Sequence, residues 1–307
     1  MELQHRSMGR SAYQLMKTAI LATLLLCCFE LHAATVGLLV DKSSKQAVLF
    51  HQKLSELSPK QDVKLVELAQ LTQHLNSSSI SQWVTMGPKA LAGLLKQDFK
   101  GQALALFVSS HQAEQLSKAS PNKRFSLLNN TPSLQRQLAL IKVLKPQAKR
   151  IVLFHAQQNK VDLSSYQATA EKLGFELSLN VLKDPLNWDR NALKALKSAD
   201  LVLGLPDRAI YNATTIRSIL MRLYRAGKPL IGPDKGYVRA GAVASTYASM
   251  TDTLKACAAL INEQASWPAY IENNFFSVAV NAQVARSLNL SVSESSKLEA
   301  QVRELMK

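Results

Sequence analysis

Apolar runs of strand length alternate with amphipathic segments from Thr35 to the end of the chain. Most runs are apolar at every position, which is typical of parallel strands covered on both faces. In the segments between them, apolar residues recur at helical spacing, as in residues 133–145. This alternation predicts a doubly wound α/β fold. The predicted strands are residues 36–40, 83–86, 103–108, 125–128, 151–154, 175–182, 201–205, 229–231, 242–247 and 275–280.

The number of predicted strands indicates two lobes, because ten strands exceed what one such sheet usually holds. Clusters of turn-forming residues mark where the chain would cross between lobes, at residues 129–133, 232–236 and 268–275. The sequence therefore predicts two doubly wound, Rossmann-like lobes joined by three crossings. In this prediction the first lobe comprises residues 35–130 and 232–267, and the second comprises residues 131–231 and 268–307.

Residues 1–34 have the three parts of a secretory signal peptide: a basic start, an apolar run at 18–29, and small residues at the end. The apolar run is too short for a membrane span, which needs about 20 residues. Lipid attachment at Cys27 or Cys28 is the alternative, but the lipidated cysteine follows a small residue, and Leu26 precedes Cys27. We therefore expect export to the periplasm with cleavage of residues 1–34.

Cys257 is the one cysteine that follows residue 34, so no disulfide can form within the mature chain. At helical spacing it shares a face with Leu254, Ala258 and Ile261. An apolar face of this kind predicts a buried, unreactive thiol.

The chain is basic, with 37 Lys and Arg residues against 22 Asp and Glu residues and a formal net charge of +15. Without residues 1–34, 34 basic and 20 acidic residues remain, and the net charge is +14. Aromatic residues make up 6% of the chain and form no base-stacking cluster, so nucleic-acid binding is not predicted. The lysines lie along predicted helices, which favours solvated faces; attraction to an anionic partner or to the envelope surface is the alternative. These lysines are Lys142, Lys145, Lys149, Lys172, Lys194 and Lys197.

No strong enzyme motif is present: the sequence contains no G-x-S-x-G, H-E-x-x-H, Walker A or G-x-G-x-x-G pattern. Ser110 and His111 follow a predicted strand, which could suggest a hydrolase. Adjacent residues rarely face each other, however, and no third group that would orient the histidine is evident. We therefore predict no catalytic residue, no metal site and no cofactor.

Polar residues and turn formers follow several predicted strands. In doubly wound folds, ligands bind at the carboxyl ends of the strands, beside helix N-termini. Asp207 is the sharpest candidate, because its carboxylate could pair with an amino group of a solute; capping of the next helix is the alternative. The candidate ligand-binding residues are Gly87, Pro88, Ser109, Ser110, Thr131, Ser133, Pro206, Asp207, Tyr211 and Asp234.

Four segments carry a resemblance to a known family: residues 133–154, 200–213, 227–245 and 278–290. They resemble the ABC-transporter substrate-binding family, whose better-understood members bind aromatic amino acids such as tryptophan and tyrosine. The resemblance implies a type I periplasmic-binding-protein fold, in which two lobes close on a ligand. It also implies ligand contacts at residues 87–88, 109–111, 131–133, 206–207 and 232–234.

The leading functional prediction is a monomeric periplasmic solute-binding protein that holds a small molecule, such as an amino acid, between its lobes. Its partners would be that solute and an ABC permease. The alternative is a sensory adaptor that presents its ligand to a membrane receptor, such as a histidine kinase or a diguanylate cyclase.

Overall fold

The computed structural model describes residues 35–77, 80–159, 161–263 and 265–307. Two six-stranded sheets with flanking helices form two lobes, which confirms the predicted doubly wound α/β fold. The predicted signal peptide, with Cys27 and Cys28, lies outside the described residues. Across the described ranges, no helix is both long enough and apolar enough to cross a membrane.

Strands and helices alternate along most of the chain. The strands are β1 (Thr35–Val40), β2 (Asp62–Glu67), β3 (Ile80–Met86), β4 (Gln102–Leu106), β5 (Ser126–Asn129), β6 (Arg150–His155), β7 (Glu176–Val181), β8 (Leu201–Gly204), β9 (Leu230–Ile231), β10 (Ala244–Tyr247), β11 (Tyr270–Glu272) and β12 (Ser277–Val280). The helices are α1 (Lys45–Leu57), α2 (Leu71–Ser77), α3 (Pro88–Leu95), α4 (Ser110–Ala119), α5 (Leu134–Leu144), α6 (Ser164–Lys172), α7 (Arg190–Ser198), α8 (Ile216–Arg225), α9 (Lys235–Ala240), α10 (Met250–Glu263), α11 (Ala282–Ser287) and α12 (Ser295–Leu305).

The first lobe is built on a parallel sheet of strand order β11-β5-β4-β3-β1-β2. Helices α1 and α10 share one buried cluster, in which Phe50 and Leu54 meet Cys257. The thiol of Cys257 is fully buried, and this burial raises its pKa to about 12. The prediction of a buried thiol is therefore confirmed. Asn262 of α10 also donates a hydrogen bond to the carbonyl of Leu57, at 3.1 Å.

The second lobe has the strand order β12-β10-β9-β8-β6-β7. Strand β12 runs antiparallel to β10, and the other pairs are parallel. One buried cluster contains residues of α5, α6, α11 and α12, whereas another contains residues of α7 and α8. The helices are therefore divided between the two faces of the sheet, as a doubly wound fold requires.

Three segments connect the lobes: residues 130–133, 248–249 and 273–276. The prediction placed a crossing at residues 232–236, but these lie between β9 and α9, and β10 pairs with β9 and β12 in the second sheet. Conversely, β11 pairs with β5 in the first sheet, although the prediction placed residues 268–307 in the second lobe. The sequence of a short strand does not indicate which strand it pairs with, so sequence alone could not assign these strands to a sheet.

The three crossings leave from the carboxyl ends of strands. The first follows Asn129 of β5, the second follows Tyr247 of β10, and the third follows Glu272 of β11. Strands β5 and β11 belong to the first sheet, and β10 belongs to the second. The carboxyl edges of the two sheets therefore meet at the crossings.

Hydrogen bonds link the three crossings to one another. Asn130 donates to the hydroxyl of Thr253, at 2.9 Å, and accepts from the side-chain amide of Asn273, at 2.8 Å. The hydroxyl of Ser277 donates to the carboxylate of Asp252, at 2.8 Å. Because each bond joins residues on or beside two different crossings, the segments form one connected hinge.

A buried arginine stabilises the same hinge. Arg136, in the first turns of α5, donates to the carbonyl of Asn273 at 2.9 Å and lies 3.5 Å from the carboxylate of Glu272. Its guanidinium also lies 4.5 Å from the ring centroid of Phe276. Burial lowers the pKa of Arg136, and the charge of Glu272 partly opposes that shift. The first crossing is thereby held to the third.

Candidate functional site

The loops that follow the first strands of the first lobe are joined at the carboxyl edge of the sheet. The backbone N–H of Gly87 donates to the carbonyl of Leu106, at 2.8 Å, and ties the turn after β3 to the end of β4. Lys89 forms an ion pair with Asp41 at 3.3 Å, which connects the turn after β3 to the loop after β1. These loops therefore form one continuous surface beside the hinge.

Gly87 and Pro88 form the turn between β3 and α3. Gly87 has a φ of 91°, in the region that favours glycine, and a Cβ there would meet nothing within 4 Å. The glycine is therefore required by the backbone conformation and not by lack of space. Pro88 is the first residue of α3, a position that suits proline because its missing N–H would be unpaired in any case.

Ser109 and Ser110 begin α4. The Ser109 hydroxyl accepts from the backbone N–H of Gln112, whose side chain accepts from the backbone N–H of Ser109, so the two form a capping box. Ser109 is thus committed to the helix terminus, whereas Ser110 is an exposed residue of the first turn. The ring of His111 is hydrogen-bonded to Gln115 on the same helix, at 3.0 Å.

Phe107 is a candidate that sequence reasoning missed. It follows β4 with a φ of 58°, which is rare for a bulky side chain and costs roughly 1–3 kcal/mol. The residue is 38% exposed, and its ring packs edge-on against Phe50, with the centroids 6.1 Å apart. Strained backbone of this kind is concentrated at binding sites. The predicted strand ran to Val108, and no sequence signal shows that the backbone leaves the strand before Phe107.

An open pocket of about 560 Å³ lies beside the loop after β1. It is lined by Ser43 and Ser44 and by the first two turns of α1, where Leu49 is 48% exposed. Ser44 caps α1 by accepting from the N–H of Ala47, at 3.1 Å. None of these residues is among the ligand-binding residues predicted from the sequence.

Thr131 and Ser133 lie on the first crossing and are half-buried. The backbone N–H of Thr131 donates to the side chain of Asn129, at 3.2 Å. The Ser133 hydroxyl accepts from the N–H of Arg136, at 3.3 Å, and caps α5. Both residues therefore belong to the hinge, and Ser133 also fixes the start of the helix that follows it.

Asp207 follows β8 and is 6% exposed. One carboxylate oxygen accepts from the N–H of Ala156, at 2.8 Å, and the other accepts from the N–H of Ala209, at 3.0 Å. Its carboxylate therefore joins the ends of β6 and β8, and it does not cap α8, which begins at Ile216.

The remaining second-lobe candidates differ in exposure. Tyr211 is buried, and burial followed by the nearby charge of Asp207 raises its pKa. Its carbonyl accepts from the hydroxyl of Tyr237, at 2.5 Å. Asp234 is exposed and caps α9 by accepting from the N–H of Gly236, at 2.6 Å. Pro206 is exposed at the end of β8.

Gln137 of α5 is buried near the carboxyl edge of the second sheet, where it forms several hydrogen bonds. Its amide group donates to the carbonyl of Gly232, at 2.9 Å, and to the hydroxyl of Ser245, at 3.2 Å. Its oxygen accepts from the N–H of Thr246, at 3.1 Å, and from the hydroxyl of the same residue, at 3.3 Å. One side chain thus holds α5, the loop after β9 and strand β10 together.

The structure groups the predicted residues by lobe. Gly87, Pro88, Ser109 and Ser110 share the first-lobe edge, and the candidates from residue 206 onward lie in the second lobe. Within the described ranges, no hydrogen bond or ion pair joins a candidate of one lobe to a candidate of the other. Nor do any three His, Cys, Asp or Glu side chains there form a group that could hold a metal ion.

The comparisons with known proteins identify the class of fold. No protein-family model and no curated protein matches the chain. The ligand-free, open structure of a substrate-binding protein with adhesive properties from Clostridium difficile matches with a TM-score of 0.60 and 13% identity, over 85% of this chain and 96% of that one. An ABC domain in complex with L-Trp from Streptococcus pneumoniae matches with a TM-score of 0.46 and 16% identity, over 85% and 96%. The match to the Clostridium difficile structure shows that the chain has the two-lobed fold of that substrate-binding protein.

Proposed function

We propose that this chain is a periplasmic solute-binding protein of the ABC-transport type, not an enzyme, which holds a small molecule such as an amino acid between its lobes. The observation that carries the proposal is the position of the hinge: all three crossings leave from carboxyl edges, so the edges that bind ligands in this fold class face a common cleft. A linked three-segment hinge suits closure of two rigid lobes around a solute. The similarity of the fold to that of a substrate-binding protein supports the same proposal.

The two lobes would contribute differently to the cleft. In the first lobe, the exposed ring of Phe107 would cover the apolar part of the solute, and Ser110 would donate or accept hydrogen bonds. Thr131 would add a polar contact from the hinge. In the second lobe, the loop after β8 would close over the solute with Pro206 at its surface, because Asp207 holds that loop in place from below.

Isothermal titration calorimetry of the purified protein against the amino acids, one at a time, tests this proposal. We expect at least one to bind, with closure detected as a decrease in the radius of gyration in solution scattering. Absence of binding across the whole set would contradict the amino-acid proposal.

Phe107→Asn then tests the proposed contact surface. Asparagine tolerates the left-handed backbone conformation, so the substitution removes the ring without adding strain. We expect affinity for the solute to fall about tenfold, which corresponds to about 1.4 kcal/mol. Tyr224→Asn is the control, because it removes an exposed ring from the last turn of α8, a helix that runs from the carboxyl edge of the sheet back toward the start of β9. Equal affinities for the two variants would exclude Phe107 from the site.

A further inference from the structure

The outer surface of α7 and α8 in the second lobe carries charge of one sign. Arg190, Lys194 and Lys197 recur at spacings of four and three along α7, so they lie on one side of that helix. On α8, Arg217 and Arg225 are two turns apart and exposed. We name these five residues, together with Met221 and Tyr224, the basic face.

The two helices are neighbours on the same side of the second sheet. Their opposite faces enter one buried cluster, as Leu196 of α7 and Leu223 of α8 illustrate. The guanidinium of Arg222 lies 5.6 Å from the ring centroid of Trp188, just before α7. Lys228, just after α8, donates a hydrogen bond to the carbonyl of Ala199 at the end of α7. The basic residues of both helices therefore project from one continuous surface.

This positive charge is uncompensated on the helices themselves. Neither α7 nor α8 contains an Asp or Glu residue. Asp189, the acid next to α7, accepts from the N–H of Ala192 as its N-cap. None of the ion pairs within the described ranges involves a residue of the basic face.

The net charge of the chain is also unequally divided between the two lobes. The second lobe, residues 130–248 and 273–307, has 22 basic and 11 acidic residues, a net charge of +11. The first lobe, residues 35–129 and 249–272, has 12 basic and 9 acidic residues, a net charge of +3. Most of the basic excess is thus a property of the lobe that bears the basic face.

We propose that the basic face is a docking surface for a membrane that contains anionic phospholipids, an activity separate from solute binding. Met221 is 49% exposed and Tyr224 is 50% exposed, between the arginines of α8. Tyrosine favours the boundary between water and membrane, and long basic side chains can place their charge at headgroups while their stems lie on apolar surface. Two adjacent helices on a sheet present a broad surface to a planar partner. An acidic protein is the other possible partner, and poly-glutamate represents it in the test below.

Vesicle co-sedimentation of the purified full chain tests this proposal, with phosphatidylcholine vesicles that contain or lack phosphatidylglycerol. The test variant is K194Q/K197Q/R217Q/R225Q, and the control is K53Q/K60Q/K96Q/K100Q, which removes the same charge from exposed lysines of the first lobe. All proteins retain residues 1–34, so a difference between the variants reports on the substituted surfaces.

We expect the wild type and the control to bind anionic vesicles, with binding weakened by high salt. The test variant should bind at least about fiftyfold more weakly, since each basic residue near an anionic surface contributes about fivefold. Equal binding of the wild type and the test variant to anionic vesicles would overturn the proposal, because both carry residues 1–34. So would equal binding of the test and control variants, or binding of poly-glutamate without binding of anionic vesicles.

If the fourfold variant fails to fold, K194Q/K197Q on α7 alone replaces it, against K53Q/K96Q. Glutamine forms helices well and both lysines are exposed, so this pair should fold. We expect about a tenfold or greater loss of binding to anionic vesicles for the α7 pair. If the α7 pair binds anionic vesicles as well as its control does, the proposal is overturned as well.

Discussion

The carboxyl edges of the two sheets have the same architecture but use their side chains differently. At the edge of the first lobe, Phe107 is exposed on a strained backbone and Ser110 is exposed in the first turn of α4. At the edge of the second lobe, Asp207 and Gln137 are buried and hydrogen-bonded to the protein itself. Phe107 and Ser110 are thus accessible at the first edge, whereas Asp207 and Gln137 stabilise the loops of the second edge from inside.

This difference separates two ways in which a polar residue can support binding. We expect a residue such as Ser110 to contact a solute directly, and Asp207 to support binding by holding in place the loop that makes the contact. Rigid loops lower the entropy that is lost on binding, so an internally satisfied edge still favours affinity. Substitutions in the two lobes should therefore have different signatures, in affinity for the first lobe and in stability for the second.

The largest effect is expected at Cys257, which reports on the first lobe. Its buried thiol should react with a thiol reagent at least ~10³-fold more slowly in the folded protein than in denaturant, since reaction requires opening of the lobe. Labelling of the peptide that contains Cys257, quantified by mass spectrometry, separates it from Cys27 and Cys28. Similar rates in both states would show that the first lobe lacks a stable core around α10.

Gln137→Leu should produce the next largest effect and should act on the second lobe. The substitution leaves the carbonyl of Gly232 and the N–H of Thr246 buried without their partner, at a cost of about 3 kcal/mol in the free energy of unfolding. Urea denaturation measures this loss, with Gln301→Leu on the exposed side of α12 as the control.

Repeating the Cys257 labelling in the Gln137→Leu protein tests whether the two lobes unfold independently. Lobes that open independently predict faster unfolding of the second lobe with unchanged protection of Cys257. If the free energy that protects Cys257 falls as much as the free energy of unfolding does, the hydrogen-bonded hinge makes the two lobes a single cooperative unit. The two lobes then differ in how they bind the solute and not in their stability.

A smaller effect is expected for Asp207→Asn, about 2 kcal/mol of stability, because one of two charge-assisted hydrogen bonds to backbone amides is lost. Affinity for the solute should change little. Asp234→Asn is the matched control and should be nearly neutral, since asparagine caps helices as well as aspartate does. A large loss of affinity in Asp207→Asn with normal stability would return Asp207 to direct solute binding.

The sequence predicts the interior of each sheet better than its borders. Interior strands such as β1 and β6 are apolar along most of their length, and their pattern is sufficient to find them. Strand β2 was missed because it is an edge strand of alternating polarity, and β11 because it has three residues and exists through its pairing with β5. Local pattern carries no information about such distant partners.

The same limit applies to the candidate site. Turn chemistry placed Gly87 and Ser133 among the candidates, because glycine in a tight turn and serine before a helix are local requirements. The polar residues after β8 were also found, but the pattern could not show whether Asp207 faces a cleft or two backbone amides. Nor could it reveal the sign of φ at Phe107, which depends on how β4 meets α4.

The late position of α10 in the chain has a consequence for the order of folding. Helix α10 packs on α1 through contacts such as the one between Asn262 and Leu57, which are 205 residues apart. Contacts at such separation slow folding, because the long loop must close before it is stabilised. A chain that emerges from its N-terminus can thus assemble most of the second lobe while the first still lacks α10 and β11. The lobe whose strands come first is expected to be completed late, and its exposed core is the surface that a chaperone would need to protect.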